Sequence, residues 1–286
     1  MKVPSSVVPY IQVAPLALIL LVFFGIPLVT VIVVSFFDYV NFQTVPAFLL
    51  YNYEEVFSSN LTVTLYLTML KFSVIVWLIT LFIGFWVSYF LVFHVQSLLW
   101  KIFFFLVCTV PFWTSNIIRM ISWIPVLGRN GLVNQTLMNL GLIDEPYDFL
   151  LFSDFSVIVA YVHLFTLFMV VTLFNAMARI DPAILEAAVD AGASRWQVIT
   201  QVVIPLSKTG IALGSIFVVT LVMGDFFVVK IMSGGQSSSA VYAMWNEISM
   251  LQYPSAAASA VILLMVVVLM VVAILRIVDV RKELSG

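Results

Sequence analysis

Charged residues are scarce in this sequence. Lys, Arg, Asp and Glu together make 9% of the 286 residues, whereas 63% are hydrophobic. Soluble domains of ordinary composition carry about 25% charged residues, so we expect lipid rather than water to be the main solvent of this chain. The 12 basic and 14 acidic residues nearly cancel, which excludes the large basic field that nucleic-acid binding needs.

Cysteine and histidine are also nearly absent. The one cysteine, Cys108, lies inside an apolar run, which excludes an internal disulfide and disfavours a cysteine-based metal site. Only His94 and His163 are available for acid–base chemistry, and no nucleophile or metal-ligand pattern accompanies either of them. We therefore expect no metal, no cofactor and no catalytic centre, and we interpret His163 as a hydrogen-bonded residue of a helix bundle.

Long apolar runs fill most of the chain. A helix that crosses the roughly 30 Å hydrocarbon core needs about 20 mostly apolar residues. Six segments meet this requirement, namely Val13–Phe36, Phe72–Phe93, Ile102–Ile124, Phe155–Ala178, Ile211–Val229 and Ala256–Ile277. The first run is too long for the core of a signal peptide, so we interpret it as a retained span. The sequence therefore predicts an all-α integral membrane protein, in which Pro111 and Pro125 kink or end the third helix.

The distribution of Lys and Arg predicts the orientation of these spans. Eight basic residues lie on one side, Lys2, Lys101, Arg179, Arg195, Lys208, Arg276, Arg281 and Lys282, against four on the other, Lys71, Arg119, Arg129 and Lys230. Both termini are therefore expected in the cytoplasm. The outer connections would then carry the acidic residues Asp38, Glu54, Glu55, Asp144, Glu145, Asp148 and Asp154. In the second outer connection, apolar residues at helical spacing from Leu132 to Leu140, followed by Gly141, predict a short surface helix.

The cytoplasmic connection Asp181–Gly210 differs in chemistry from the spans beside it. Asp181 is suited to cap a helix whose first residue is Pro182, since proline has no amide hydrogen to satisfy there. Gly192 stands where a left-handed C-terminal cap is needed. The apolar residues Ile184, Ala187, Ala188 and Ala191 are predicted on one face of this helix, with Glu186 and Asp190 as an acidic edge.

A second short helix is predicted immediately after the glycine. Ser194 is suited to cap a helix from Arg195 to about Ile204, before Pro205 prevents a simple continuation. The result is two helices joined at a glycine elbow. Alanine and glycine at such an elbow permit the backbone of another protein to approach closely, so this segment is predicted to be a docking surface.

The residues of this elbow match a known pattern. Glu186-Ala187-Ala188, three residues, Gly192, nine residues and Val202-x-Ile204-Pro205 resemble the EAA signature of binding-protein-dependent ABC importer permeases, E-A-A-x3-G-x9-I-x-L-P. Val202 and Ile204 replace the usual Ile and Leu and keep the apolar character. Two further segments, Val110–Gln135 and Gly224–Gly235, are similar to spermidine/putrescine permeases, although Lys230 stands where those permeases often have an acidic residue.

The resemblance implies a fold and a set of partners. It implies a type I ABC importer permease fold, with residues 1–286 as one transmembrane domain and 181–210 as its coupling segment. In that segment it implies contact with a cytoplasmic ATPase by Glu186, Ala187, Ala188, Asp190, Gly192 and Pro205. The implied partners are two ATP-binding subunits, a second permease that the family favours as a different chain, an extracytoplasmic solute-binding protein and the lipid of a bacterial cytoplasmic (inner) membrane. This chain has no G-x-x-x-x-G-K-[ST] phosphate loop, so it is expected to be a transport subunit and not an enzyme.

Charged and aromatic residues near the outer ends of the spans are candidates for the solute pathway. Asp225 and Lys230 qualify because charge near the hydrocarbon is costly. The alternative to a role in the solute pathway is a helix cap or a salt bridge for Asp225, and for Lys230 it is extension of the side chain to the membrane interface. Trp113, Asn116 and Arg119 form a second candidate patch. A tryptophan near the boundary of a span, such as Trp113, is more often an interfacial anchor.

Two other functions compete with the importer permease. An ATP-independent secondary transporter or channel would favour inverted repeats and several intramembrane ionisable groups, and the sequence has no convincing repeat and few such charges. A membrane enzyme would need a catalytic constellation that neither histidine provides. For the solute, a polyamine, an opine-like amino acid conjugate and another small organic amine all remain open.

Overall fold

The computed structural model describes residues 8–278, which are mostly helical. Lys2, Arg281 and Lys282, three of the basic residues used to predict the orientation, lie outside the described residues. The helices are α1 (Val8–Leu20), α2 (Ile26–Val34), α3 (Tyr51–Ser58), α4 (Asn60–Tyr89), α5 (Leu98–Thr109), α6 (Asn116–Ile121), α7 (Ile124–Leu127), α8 (Leu132–Asn139), α9 (Asp154–Met177), α10 (Pro182–Asp190), α11 (Arg195–Val198), α12 (Ile204–Leu206), α13 (Lys208–Gly224), α14 (Phe227–Met232), α15 (Ala240–Ser249) and α16 (Tyr253–Val278).

Shorter elements connect these helices. Single π-helical turns occupy Leu21–Gly25, Phe90–His94 and Ile199–Val203, and 3₁₀ turns occupy Val110–Trp113 and Asp148–Leu150. Strands β1 (Asp38–Val40) and β2 (Gln43–Val45) form an antiparallel hairpin that pairs Asp38 with Val45. A long helix satisfies the backbone groups of its interior by its own hydrogen bonds, as lipid requires.

Six spans are present when two bent helix pairs are each counted as one. Four helices are long and apolar enough to cross a membrane, Gln12–Val34, Asn60–His94, Asp154–Met177 and Tyr253–Arg276. The remaining two are Leu98–Trp113 with Asn116–Asn139, bent by 97°, and Arg195–Leu206 with Lys208–Gly224, bent by 68°. The all-α membrane architecture predicted from the sequence is confirmed.

The bounds of three spans differ from the predicted ones. The second span begins at Asn60 rather than Phe72, because no proline or glycine interrupts the polar turns that precede its apolar part. The third span breaks at Thr114, whose backbone is extended directly after the 3₁₀ turn that contains Pro111. The fifth ends at Gly224 rather than Val229, because Asp225 takes an extended conformation and a separate helix follows it.

The described residues form two compact units. One contains the residues up to Val63 together with Ala243–Val266, and the other contains Thr64–Tyr242 with the residues from Val267 onward. In the larger unit, α9 is the central helix, and Val157, Met169, Leu173 and Met177 are completely buried along it. Helix α9 thus packs on several sides within this unit.

Helix α13 approaches α9 closely through two glycines. A Cβ atom added at Gly210 would lie 2.5 Å from the Cβ of Ala176 and 2.7 Å from the carbonyl oxygen of Thr172. One added at Gly214 would lie 2.5 Å from the sulfur of Met169. Small residues that permit such backbone approach are the usual basis of helix packing in lipid, where burial of apolar surface provides no driving force.

The smaller unit carries structure that the sequence did not predict. The hairpin turns through Asn41 and Phe42, both with positive φ, and Asn52 of α3 donates hydrogen bonds to the carbonyl oxygens of Ser35 (3.0 Å) and Phe37 (2.9 Å). At the junction of α15 and α16, Glu247 accepts a 3.2 Å hydrogen bond from the hydroxyl of Ser255 through Oε1. Its other oxygen, Oε2, is buried without a partner among the described residues.

Substitution of Gly210 tests the α9–α13 contact. We expect Gly210→Val to weaken this contact, because overpacking of a close interface costs about 1–3 kcal/mol. The apparent melting temperature of the detergent-solubilised protein, followed by size-exclusion chromatography after heating, should fall. Gly224→Ala is the matched control, since no atom lies within 4 Å of a Cβ at that end of the same helix. Equal melting temperatures for the two variants would contradict the role of Gly210.

The pH dependence of stability tests the Glu247 environment. Burial raises the pKa of the Glu247 carboxyl. The hydrogen bond from Ser255 lowers this pKa, and the negative charge of Glu55 raises it further. A carboxyl whose pKa is higher in the folded state than in the unfolded state binds its proton more tightly in the folded state. The free energy of unfolding therefore falls as pH rises from about 4.3, the ordinary Glu pKa, through the raised pKa of the folded state. We expect Glu247→Gln to flatten this decline in a thermal unfolding series from acid to neutral pH. Glu54→Gln, at an exposed position of α3, is the control, and the same profile for both variants would contradict the assignment.

Candidate coupling site and solute pathway

The first helix of the elbow begins and ends as the sequence predicts. Asp181 Oδ1 accepts a 2.9 Å hydrogen bond from the amide of Ala183, and Pro182 is the first residue of α10. Gly192 has φ +86°, a conformation that glycine adopts without steric cost. The amide of Ala193 then donates to the carbonyl of Ala188 at 3.0 Å, which closes the turn.

The second helix begins with a capping box. The Ser194 hydroxyl accepts from the amide of Gln197 at 3.3 Å, and the Gln197 side chain accepts from the amide of Ser194 at 2.7 Å. The chain continues through the π-helical turn Ile199–Val203 and α12 before it bends at Ser207. Pro205 lies in the first turn of α12, directly after the π-helical turn. The helix therefore continues past Pro205 and ends two residues after it, at Ser207.

The surface of the elbow has an inward side and an exposed side. Leu185 and Ala188 of α10, together with Ala193, pack against the core of the larger unit. Ile184 is 45% exposed, and the inner face of α10 is centred on Leu185 and Ala188. Of the four residues that the spacing predicts on one face, Ile184, Ala187 and Ala191 are exposed and Ala188 is half-buried.

Large apolar side chains are exposed around the elbow. Val189 is 58% exposed and Trp196 is 65% exposed, and Glu186, Ala187 and Asp190 are exposed beside them. The sequence places this segment between spans four and five, outside the apolar runs. A capped, rigid elbow with exposed Trp and Val is the kind of surface that a protein partner covers.

Asp225 acts as a helix cap in the structure. Its Oδ1 accepts a 2.8 Å hydrogen bond from the amide of Val228, in the first turn of α14, and lies 3.4 Å from the hydroxyl of the buried Tyr161. A hydrogen bond of this kind is what the cap alternative for this residue predicts. Lys230 is exposed on α14. Asp225 thus links the break in the fifth span to α9.

The second candidate patch is only partly assembled. Arg119 is 7% exposed, and its Nη2 donates a short hydrogen bond to Oδ1 of Asn116, one turn earlier on α6. Its Nε has no partner among residues 8–278. Trp113 is 79% exposed on the other side of the Thr114 break, as an interfacial anchor would be. The structure therefore brings Asn116 and Arg119 together.

His163 takes the predicted structural role. In the assigned tautomer its Nδ1 accepts a 3.0 Å hydrogen bond from the indole N–H of Trp123. Among the described residues there is no group of three or more His, Cys, Asp or Glu side chains that could hold a metal ion.

One polar cluster was not predicted from the sequence. Lys71 of α4 forms a 2.7 Å ion pair with Asp154, the first residue of α9, and the Ser237 hydroxyl donates a short hydrogen bond to the same carboxylate. These residues are far apart in sequence, so no local pattern connects them. The cluster fixes the beginning of α9 to the second span and to the segment that follows α14.

Comparison with known proteins identifies the family. The spermidine/putrescine transport system permease protein PotB of Salmonella typhimurium is 37% identical over 128 residues, which cover 45% of this chain and 44% of the relative. The chain thus aligns with less than half the length of that relative. PotB of Haemophilus influenzae is 31% identical over 238 residues, which cover 82% of each chain. No family model matches the chain.

A solved structure shows the same fold. It is described as a bacterial alginate ABC transporter in complex with alginate pentasaccharide-bound periplasmic protein, and one of its chains matches this one with a TM-score of 0.74 at 17% identity, over 96% of this chain and 94% of that chain. The fold is that of an ABC transporter permease. From the identity and coverage of the Haemophilus relative, the chain belongs to the family of ABC importer permeases that includes the PotB proteins.

Proposed function

We propose that this chain is the permease subunit that moves a small polar organic amine across the bacterial cytoplasmic membrane, driven by ATP hydrolysed on partner subunits. The observation that carries the proposal is the elbow between α10 and α11. It is capped at both helix starts, anchored to the core through Leu185 and Ala188, and apolar and exposed on its other side. Such a segment is rigid enough to transmit force from a docked protein to the spans.

The docked protein is proposed to be an ATPase subunit. Val189 and Trp196 would enter a groove on its surface, while Glu186 and Asp190 would form the polar rim of the contact and Gly192 would allow close approach. When two such subunits close on ATP, each elbow moves with them, and α9 and α13 follow because α10 joins one and α11–α12 the other. Alternating access then follows as a shift between two global states.

The complete importer is proposed to contain three further kinds of partner. A second permease chain, different from this one, would complete the pathway. An extracytoplasmic solute-binding protein would deliver the solute, as the family resemblance implies. Lipid would cover the remaining apolar surface, of which the span Gln12–Val34 is the clearest case, since none of its most apolar window is buried.

The solute is proposed to carry amine groups. The support comes from relatives named for spermidine and putrescine transport. Asp225, Asn116 and Arg119 would contact the solute near the outer ends of the spans, with Trp113 and Lys230 at the mouth. Lys230 adds a positive charge there, so an amine that also bears a carboxylate, such as an amino acid conjugate, fits this mouth as well as a polyamine does.

Substitution of Gly192 tests the elbow. We expect Gly192→Ala to strain the backbone by about 1–2 kcal/mol, because a Cβ is disfavoured at positive φ, and to weaken co-purification of the ATPase from detergent-solubilised membranes. The matched control is Gly141→Ala, another glycine with positive φ and open space around it, which ends the outer helix α8. Equal ATPase recovery with the two variants would contradict the docking role.

Removal of the exposed tryptophan tests which side chains carry the contact. A buried interfacial Trp contributes about 2 kcal/mol or more to binding, so Trp196→Ala should reduce affinity for the ATPase roughly 30-fold or more. Trp113→Ala removes an even more exposed Trp from an outer segment and should leave ATPase affinity unchanged. Titration of the purified ATPase against the permease in lipid nanodiscs measures both. An unchanged affinity for Trp196→Ala would place the contact elsewhere.

A further inference from the structure

Arg119 is a buried cation whose hydrogen-bonding groups are mostly unused. It lies on α6 and is 7% exposed. Its guanidinium forms one hydrogen bond, from Nη2 to Oδ1 of Asn116, and its Nε is buried without an acceptor among residues 8–278. A guanidinium has five N–H donors and no acceptor. A single bond to a neutral amide therefore leaves most of these donors unsatisfied.

The charge of Arg119 is not balanced by the described part of the chain either. The ion pairs in that part are Lys71 with Asp154, at 2.7 Å, and Arg129 with Asp148, at 3.5 Å. The side chains of these two cations are 54% and 68% exposed. Water screens an exposed charge, whereas a buried charge is costly unless it is paired. The cation that most needs a counter-ion is thus without one, and an ionisable residue in that position of a membrane protein indicates a functional site.

The nearby imidazole of α9 supplies no acceptor. Helix α6 packs against α9, and Arg119 is close enough to His163 for its charge to act on the ring. Nδ1 of His163 already accepts the hydrogen bond from the indole of Trp123, at 3.0 Å. In this tautomer the neutral ring carries its proton on Nε2, which is a donor. The neighbourhood of Arg119 is therefore rich in donors and suited to an anion.

The position of Asn116 indicates a carboxylate from the solute. Arg119 is almost fully enclosed, so the headgroup phosphates at the membrane surface have little access to it. Asn116 is exposed and lies one turn away on the same helix, so a small solute can reach the guanidinium by displacing this amide. A carboxylate has the same planar oxygen and a second one beside it, and it matches the guanidinium fork with two parallel hydrogen bonds.

An acceptor for the amine of the solute lies on a neighbouring element. Helix α14 packs against α6, and Asp225 precedes α14 at the break in the fifth span. Oδ1 of Asp225 accepts from the amide of Val228. A carboxylate can accept about four hydrogen bonds, so Asp225 keeps capacity for an ammonium group. A solute with a carboxylate and an ammonium group matches the opposite charges of Arg119 and Asp225.

We propose that Arg119 binds the carboxylate of the solute, so that the amine carried by this importer is an amino acid or an amino acid conjugate and not a simple polyamine. The proposal rests on the proposed function and narrows its substrate class. Two N–H groups of the guanidinium donate to the two carboxylate oxygens, and the side chain of Asn116 moves aside. The ammonium group of the solute lies at Asp225.

Matched ligands with and without a carboxylate test the proposal. Ornithine differs from putrescine by one carboxylate, and arginine differs from agmatine in the same way. The protein is the complex of both permeases and the ATPases in lipid nanodiscs, without the binding protein, so that any binding belongs to the membrane part. Thermal-shift titrations give the apparent affinity of each ligand for the wild type, Arg119→Met and Arg119→Lys. Arg129→Met is the matched control, because it removes an exposed arginine from the same outer connection.

We expect the wild type to bind ornithine and arginine more tightly than putrescine and agmatine. Arg119→Met should weaken binding of the two carboxylate ligands roughly 30-fold or more, because removal of one partner of a buried charge pair is costly, and should change the other two affinities by less than about twofold. Arg119→Lys keeps the charge without the planar fork, so its affinities for ornithine and arginine should be intermediate. Arg129→Met should match the wild type. Arg119→Gln replaces Arg119→Met if that variant does not assemble.

The melting temperature of the ligand-free complex is the second measurement. Arg119→Met should melt no lower than the wild type, since the substitution removes a buried charge that has no partner. A lower melting temperature would place the counter-ion on a protein residue, such as one of the second permease, and would overturn the proposal. Ornithine and arginine binding no more tightly than putrescine and agmatine, or equal losses of both ligand classes in Arg119→Met, would overturn it as well.

ATP-driven uptake separates this proposal from the proposed function. The assay uses proteoliposomes that also contain the binding protein. Uptake of putrescine together with ornithine binding that does not depend on Arg119 would retain the importer and reject the carboxylate. If no amine is taken up, the solute assignment of the proposed function fails, while the titrations still decide whether Arg119 binds a carboxylate.

Discussion

The close contact of α13 with α9 is the constraint on which the working parts of the larger unit depend. In lipid there is no gain from hiding apolar surface, so two spans stay together only where their backbones approach closely enough for dispersion forces and weak hydrogen bonds. Gly210 and Gly214 provide that approach, and the bond from the Trp77 indole to the Ser215 hydroxyl, at 2.7 Å, ties α4 to the same helix.

Breaks in the helices follow the same logic. A break in a span frees backbone groups that lipid cannot satisfy, so it persists only where side chains or neighbouring helices replace the lost bonds. At Asp225 the carboxylate caps the next helix and lies 3.4 Å from the Tyr161 hydroxyl. At Ser207 the hydroxyl donates to the carbonyl of Val203 at 2.7 Å. At both breaks a side chain therefore forms a hydrogen bond to the neighbouring backbone.

Local chemistry made the elbow and the spans predictable from the sequence. Asp181 before Pro182, Gly192 after the last helical residue, and Ser194 three residues before Gln197 each act on backbone groups within a few positions, so their effect does not depend on the rest of the fold. The length of an apolar run that can span the membrane is likewise determined by the thickness of the bilayer and not by the rest of the fold. Where the competing local signals were weak, as in the polar first turns of the second span, the bound was misplaced.

Contacts between distant residues could not be predicted in this way. Lys71 and Asp154 are individually ordinary, and only the packing of α4 beside α9 makes them a pair. The burial of Arg119 depends on α6 folding back after the Thr114 break, and the inner face of α10 is decided by where Leu185 meets the core. The hairpin β1–β2 requires positive φ at Asn41 and Phe42, and phenylalanine gives no signal for that conformation.

The proposed docking of an ATPase gives a reason for the caps of this connection and for its exposed apolar side chains. A flexible loop would absorb the motion of a docked ATPase in its own dihedral angles, and a purely polar loop would give the partner nothing to hold. Two caps and the Gly192 turn limit that flexibility, and exposed Val189 and Trp196 offer a contact surface. If an ATPase docks on the elbow as proposed, the direct connections of α10 to α9 and of α12 to α13 carry its displacement to two spans that glycines hold in close contact.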